Sequence, residues 1–405
     1  MEINMLIALA SAVIVVNEDA KRKRKSIVMR QHVNFDFHIS QLLEEGQFIR
    51  FYRMSFSSFE KLVKLVCPKL AVNEHQSKRR RKSNSINAVS RLQMAIMWLA
   101  GGSHHQIRFV GGNVSVPFFY ANLHRVLDAI ICTTELDLVF PNTKKRVQEM
   151  ALGFRDFSTE NILSGCIGCI DGWLCEIRMP ASHEVGRVQS FFSGHYARYG
   201  INVQACCDFL SRFTAFSANC PGGMGDALAF QKWKLSTIID KIDGPYYLIG
   251  DNGYVQSAKV MTPFNKIELQ VQKKSRDAYN FYLSQLRIRI EMAFGLLVSK
   301  WRVLKSKLNV KIANATNVIH VCMRLHNFVI SERSMETDFK IEKEYNDMCK
   351  ASNIGEGHLL YDSTIIDGNE YKDEDSKFAL GHAFRQALVK KNENHNLNRP
   401  IYNVQ

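Results

Sequence analysis

Gly165-Cys166-Ile167-Gly168-Cys169-Ile170-Asp171-Gly172 is the stretch on which the reading of this chain turns. Upstream of it, apolar residues recur at helical spacing. From Gly165 the period changes to a short continuous apolar run, the pattern of a buried strand. The run ends at Asp171-Gly172, and Trp173 to Ile177 reads as a second strand. Asn202 to Cys207 and Arg212 to Ala218 are further strand candidates, bounded by Asp208 to Ser211 and by Pro221-Gly222-Gly223. Tyr246 to Gly250 reads as a buried strand ending at Asp251, and Ile267 to Gln272 as another short one. Asp226 to Ile239 reads as a helix, and a long helix runs from about Asp277 to Leu304. Strands first and helices after predict a mixed α/β domain.

Before this domain the pattern is helical. Phe48 to Leu70 carries Leu62, Leu65 and Val66 at helical spacing, with N-cap serines at Ser55 to Ser58 and a stop at Pro68. Ile86 to Leu99 stops at Gly101-Gly102, and His104 to Val110 stops at Gly111-Gly112. Ser115 then caps Val116 to Ile131, with Pro117 in the first turn, where proline is tolerated. Helix, glycine turn, helix is the layout of a helix-turn-helix, which small helical bundles share. Phe118, Phe119 and Tyr120 require much of the third helix to be core. The chain therefore divides into a basic segment 1–40, a helical helix-turn-helix-like region 41–150, an α/β domain 151–335 and an acidic tail 336–405. One helix, about Phe378 to Val389, is expected in the tail.

Of 405 residues, 46% are apolar and 23% charged, a globular balance that excludes a wholly disordered or collagen-like chain. No apolar run approaches the ~20 residues that span a bilayer. Lys and Arg number 53 against 39 Asp and Glu, for a net charge of +14. The excess lies in residues 1–330, with 43 basic and 25 acidic side chains; residues 331–405 hold 10 and 14. A basic body points to a polyanionic partner, nucleic acid first, with a merely solvated basic surface as the plain alternative. Lys21 to Lys25 and Lys78-Arg79-Arg80-Arg81-Lys82 are two basic runs that suit nuclear import. The expected compartment is the nucleus, with the cytoplasm second. Met5 to Val16 has the length of a signal peptide but the wrong polarity, with Glu2 before it and lysines after. Ten scattered cysteines form no disulfide framework. Cys166 and Cys169 form a CxxC without a second pair, and on a strand they would face opposite ways.

The chemistry is expected in carboxylates. Asp171 and Asp251 each end an apolar run, where an acid is costly unless paired or bound to a cation. For each alone, a turn residue is the alternative, because Asp-Gly and Asp-Asn-Gly form turns readily. Glu291 lies on the long helix one position beyond Ile290, about 100° around from the apolar stripe and at the edge of its buried face. Three such carboxylates suit Mg²⁺ or Mn²⁺, expected as a pair of ions ~4 Å apart acting on a phosphodiester. Lys273, Lys274, Arg287 and Arg289 could clamp DNA phosphates beside them.

An ordered set of motifs resembles the PIF/Harbinger family of DDE transposases and the nucleases derived from them. The set is Cys169-Ile170-Asp171-Gly172, Gly200-Ile201-Asn202-Val203-Gln204 through Asp208, Pro221-Gly222-Gly223 with Asp226, and Gly250-Asp251-Asn252-Gly253-Tyr254. Tyr279-Asn280, Leu283-Ser284, Arg287, Glu291 through Gly295, and Leu325-His326-Asn327-Phe328 complete it. The resemblance covers about residues 40–330. It implies an RNase H-like mixed sheet flanked by helices, metal-dependent cutting of double-stranded DNA, and Asp171, Asp251 and Glu291 as the catalytic, metal-holding residues. Asp226 and Asp208 are auxiliary candidates. It also implies a separate Myb/MADF-like protein that assists DNA binding, and a homo-oligomer if two DNA ends are cut together. Trp173 departs from the family's small residue, Gly225 from its usual His, and His195 from its usual Lys. A scaffold that keeps the fold and DNA binding without cleavage is the rival reading; it would show a lost carboxylate, and none is lost. A hydrolase of small phosphoesters is disfavoured by the basic excess.

Overall fold

A computed structural model describes residues 35–71, 86–333 and 374–400. The apolar run 5–16 and both basic runs, Lys21 to Lys25 and Lys78 to Lys82, lie outside the described residues.

The helical region comprises α1 (Phe35–Glu44), α2 (Phe48–Tyr52), α3 (Phe56–Val66), α4 (Ala88–Leu99), α5 (His104–Val110) and α6 (Val116–Ile131). The last three fall where glycine stops and serine caps put them, and the Ser115 side chain accepts from the Phe118 N–H. The single helix expected over Phe48 to Leu70 is two helices. Arg53 takes a left-handed conformation (φ 60°), and Ser55 caps a fresh start by accepting from the Ser58 N–H.

A further helix, α7 (Lys144–Phe157), leads into β1 (Cys166–Glu176). Then come β2 (Phe192–Ser193), β3 (Arg198–Cys207), β4 (Phe213–Pro221), α8 (Asp226–Lys232), α9 (Lys234–Asp240), β5 (Tyr247–Ile249) and β6 (Val260–Met261). The chain continues through α10 (Lys273–Lys300), α11 (Ile312–Glu332) and α12 (Glu374–Asn394). β4 pairs antiparallel with β3, and β3 with β1; β5 runs parallel to β1, and β6 to β5. The short β2 folds onto the start of β3.

Three expectations are corrected here. The turn at Asp171-Gly172 is absent: β1 runs straight through, with Asp171 opposite Ala205 and Gly172 opposite Gln204. An unbroken antiparallel partner keeps that backbone in the ladder. The strand over Ile267 to Gln272 is a 3₁₀ turn at Glu268–Gln270, because the Asn265 side chain accepts from the Ile267 and Glu268 N–H groups. Ile267 and Val271 are more than 70% exposed, so this segment has no face to bury in a sheet. The helix over Asp226 to Ile239 breaks at Trp233, which is extended and sends its ring into an apolar cluster with Ile167 and Leu248.

The mixed sheet is covered on both faces. Val147 of α7 and Leu235 and Ile239 of α9 cover one. α10 covers the other, where the Leu286 carbonyl accepts from the Cys169 thiol at 3.2 Å and Phe294 packs on Trp173. The main cluster of buried side chains extends from Leu42 through α4, α6, the sheet, α10 and α11 to Val389 of α12. No described helix is long and apolar enough to cross a membrane.

Candidate active site

The sheet register sets Asp171 beside Asp251. Cys169 of β1 is the parallel partner of Ile249 of β5, and each aspartate lies two residues further on. β5 ends at Ile249 while β1 continues, so the two carboxylates meet where the strands part. Asp171 Oδ1 accepts from the Gly172 N–H at 2.8 Å, and Asp251 Oδ1 from the Gly253 N–H at 2.9 Å. Burial pushes the Asp171 carboxyl up to about 7, and the negative charge of Asp251 adds to it; Arg287 and the Gly172 N–H oppose the shift.

Asp226 joins them from the first turn of α8. Its Oδ1 accepts from Asn202 Nδ2 at 3.1 Å and from Gln204 Nε2 at 2.7 Å. Gln204 Oε1 in turn accepts from the buried Tyr254 hydroxyl at 2.6 Å. Asp226 lies directly over Gly172: a Cβ there would stand 2.1 Å from Asp226 Oδ1, so only glycine leaves it room. A Cβ on Gly253 would stand 3.0 Å from Asp251 Oδ1 and 3.5 Å from Asp226 Oδ2, so these two carboxylates border the same point. Burial, chiefly, raises the Asp226 pKa, and Asp251 adds to it, while the Asn202 and Gln204 amides pull it down.

Glu291 approaches from α10. Arg287, Glu291 and Phe294 form one stripe of that helix at i, i+4 and i+7. Phe294 packs on Trp173 with ring centroids 5.8 Å apart, while Leu286 faces Cys169. Asp171 lies between Cys169 and Trp173 on that side of β1, so the stripe runs alongside it. Glu291 itself is 45% exposed and ion-paired, Oε1 to Arg287 Nη1, at 2.6 Å. The structure thus sets Asp251 and Asp226 within electrostatic reach of Asp171, and ties Glu291 to Arg287, whose charge also reaches Asp171. Trp173 packs sideways onto Phe294, partly exposed.

The other named residues lie elsewhere. Asp208 is 2% exposed and closes the β3–β4 turn, accepting from the Leu210 and Arg212 N–H groups and from Arg212 Nε. Arg289 turns away from Arg287 and lies over the Phe157 ring, 4.3 Å from its centroid. Lys273 and Lys274 are exposed at the start of α10, about 25 Å along the helix from Glu291. His326 Nε2 donates to the Ser211 carbonyl, 2.9 Å away, and burial pushes its pKa down to about 3. Asn327 bonds both the N–H and the C=O of Phe213. This pair therefore fixes the start of β4. Cys166 and Cys169 are buried and free.

Sequence reasoning missed Tyr196. It sits at the β2–β3 turn, 54% exposed, before Ala197 in a left-handed conformation (φ 51°). Burial, then Asp226, Asp171 and Asp251, all raise its pKa, which sets the phenol at the mouth of the carboxylate group. Nothing but an aromatic residue in a turn marks it in the sequence. Asn202, Gln204 and Tyr254 are motif residues with no role legible in the sequence; Asn202 and Gln204 hold Asp226 through their side-chain amides, and Tyr254 holds Gln204.

Among the described residues, no three His, Cys, Asp or Glu side chains are drawn together as a formed metal centre. The donor set at Asp171, Asp251 and Asp226 is nevertheless all carboxylate oxygen, which fits a hard divalent cation and not a soft one. Burial first, and then repulsion by Asp251, raises Asp171, and a cation there would offset both. Residues 170–327 match a family model described as DDE superfamily endonuclease. The match begins at the residue before Asp171 and ends at Asn327, so it contains all three proposed catalytic carboxylates. No curated protein and no solved structure matches the chain. The α/β part of the chain is therefore similar, over the matched segment, to a superfamily of endonucleases.

Proposed function

We propose that the chain is a metal-dependent DNA endonuclease of the PIF/Harbinger transposase type, built on an RNase H-like sheet. The observation that carries this reading is the placement of Asp171 and Asp251 side by side where β1 and β5 part, inside the segment that matches the endonuclease family. The strand order supports the RNase H-like assignment: three antiparallel strands, then two parallel ones, the first reached through α8 and α9. Asp171 and Asp251 would hold Mg²⁺ or Mn²⁺, with Asp226 at the rim and Glu291 completing the set once released from Arg287. A pair of such ions would activate the attacking water or 3′-hydroxyl and stabilise the leaving oxygen of a phosphodiester. Arg287 next to the site, and Lys273 and Lys274 further along α10, suit the phosphates of double-stranded DNA.

The helix-turn-helix-like α4–α6 and the basic run Lys78 to Lys82 are the proposed additional DNA contacts. A separate Myb/MADF-like protein, a homo-oligomer and a nuclear location complete the reading. Plasmid cleavage with Mg²⁺ or Mn²⁺ tests it, comparing the chain with Asp171→Ala, Asp251→Ala and Glu291→Ala. Metal-dependent cutting lost in all three is the expected result. Cutting that survives all three overturns the assignment of the site.

A further inference from the structure

We propose that Arg287 is an exchangeable counter-cation: it holds Glu291 in the metal-free site and passes to a DNA phosphate when a divalent cation takes Glu291. Metal and DNA then bind cooperatively. This inference rests on the nuclease reading above and adds a coupling between the two ligands of that site.

Four observations carry it. Arg287 Nη1 and Glu291 Oε1 are 2.6 Å apart, so a candidate metal-holding carboxylate is already occupied by a positive charge. The same guanidinium lowers the Asp171 pKa, so its charge serves both carboxylates, as a bound cation would. The pair is 27% and 45% exposed, and its basic member precedes its acidic one at i, i+4, the weaker order for a helical ion pair. Exposed pairs of this kind exchange readily. Finally, the helix backbone beneath is pinned. Cys169 donates to the Leu286 carbonyl at 3.2 Å and Phe294 packs on Trp173, so the exchange needs only side-chain rotation.

Asp171 and Glu291 would hold a divalent cation, and Arg287, losing its partner and meeting a like charge, would leave Glu291. The freed fork of Arg287 has the geometry to bind two phosphate oxygens. Conversely, a phosphate that engages Arg287 frees Glu291 for metal. Linkage requires the two effects to be equal: if metal tightens DNA binding by some factor, DNA tightens metal binding by the same factor.

The test uses the full chain, Arg287→Gln and Arg287→Lys. Mn²⁺ is titrated with and without a short duplex and followed by loss of the free-ion EPR signal, with the duplex alone subtracted. Binding of a fluorescent duplex is followed by anisotropy with and without Ca²⁺. In the unaltered chain each ligand should tighten the other by at least about five-fold. Arg287→Gln should bind Mn²⁺ more tightly than the unaltered chain in the absence of DNA, and its coupling should fall to about one. Arg287→Lys, which keeps the charge, should retain part of the coupling. Unchanged or weaker Mn²⁺ binding by a folded Arg287→Gln overturns the exchange and leaves the metal site standing. Absence of saturable Mn²⁺ binding in every form overturns the metal-site reading itself.

Discussion

Asp171→Asn should make the metal-free protein more stable while removing its activity. In the folded chain the Asp171 carboxyl is raised from 3.8 to about 7 by burial and by Asp251. Between those values the folded state keeps a proton that the unfolded state has released, so stability falls as pH rises through that window and is lowest above it. The full cost is about 4 kcal/mol at pH ~8 and about 2 kcal/mol at pH ~5. Asp171 retains some contact with water, so these are upper bounds and about half of each is expected. Asn is nearly isosteric, and its Oδ1 can still accept from the Gly172 N–H, now at 2.8 Å. Urea unfolding in chelator at the two pH values measures the difference directly. The gain should be about 2 kcal/mol at pH ~8 and about 1 kcal/mol at pH ~5. Added Mg²⁺ should stabilise the unaltered chain and not the variant. A variant less stable than its parent at pH ~8, or a gain equal at both pH values, would refute the electrostatic account of the site.

Gly172→Ala sets a Cβ 2.1 Å from Asp226 Oδ1 and should cost about 1–3 kcal/mol in thermal unfolding together with DNA cutting; normal values in both would show that Asp226 need not lie there. Asn327→Ala leaves both polar backbone groups of Phe213 without their side-chain partner and should cost about 2 kcal/mol or more. Cutting per folded molecule should persist, and its selective loss would give Asn327 a role in the chemistry. Tyr196→Ala should weaken binding of a duplex with a single-stranded end by about 1–3 kcal/mol in anisotropy if the ring stacks on an unpaired base, with Tyr196→Phe near normal and the melting temperature unchanged; equal binding by all three forms refutes stacking. Gly381→Val drives a side chain into the Ser257 backbone, 2.3 Å from its carbonyl carbon, and should weaken Mn²⁺ binding by displacing the loop after Asp251. Unaltered Mn²⁺ affinity would uncouple that loop from α12.

The long-period features were legible in the sequence, and the local exceptions were not. α5 and α6 were read to the residue because glycine stops and a serine cap are local signals. The break in Asp226 to Ile239 was hidden, because Trp233 fits a helical stripe and leaves it only to fill a space formed by β1 and β5. The turn expected at Asp171-Gly172 illustrates the same limit. Asp-Gly favours a turn locally, but β3 supplies a continuous partner and α8 an acid that fits over the glycine. β6, two residues long, carries too little pattern to be seen without β5 beside it. Asp171 and Asp251 were found because an acid at the end of an apolar run is costly on any reading. Their mutual distance was not available, since it depends on the register of two strands far apart in the chain. The ion pair of Glu291 with Arg287 needs only helical spacing, but which face of α10 meets β1 is a tertiary fact.

The second carboxylate shows why the matched segment is not the whole of the site. β5 has three residues and β6 two, a thin support for the loop that begins at Asp251. Gln256 strengthens it from within: its Oε1 accepts from the Thr262 N–H at 2.8 Å, and its Nε2 donates to the Ser257 carbonyl at 3.1 Å. The same Nε2 also donates to the Gly381 carbonyl of α12 at 3.1 Å. Arg385 of α12 pairs with Glu268 and covers the Phe264 ring, fixing the segment between that loop and α10. Lys391 bonds the carbonyls of Asn161 and Ile162, just before β1. α12 therefore braces the approaches to both Asp171 and Asp251, although it lies beyond residue 327, where the family match ends. Two carboxylates that repel each other need a frame that does not yield, and in the metal-free chain the approaches to both are held by a helix outside the matched segment.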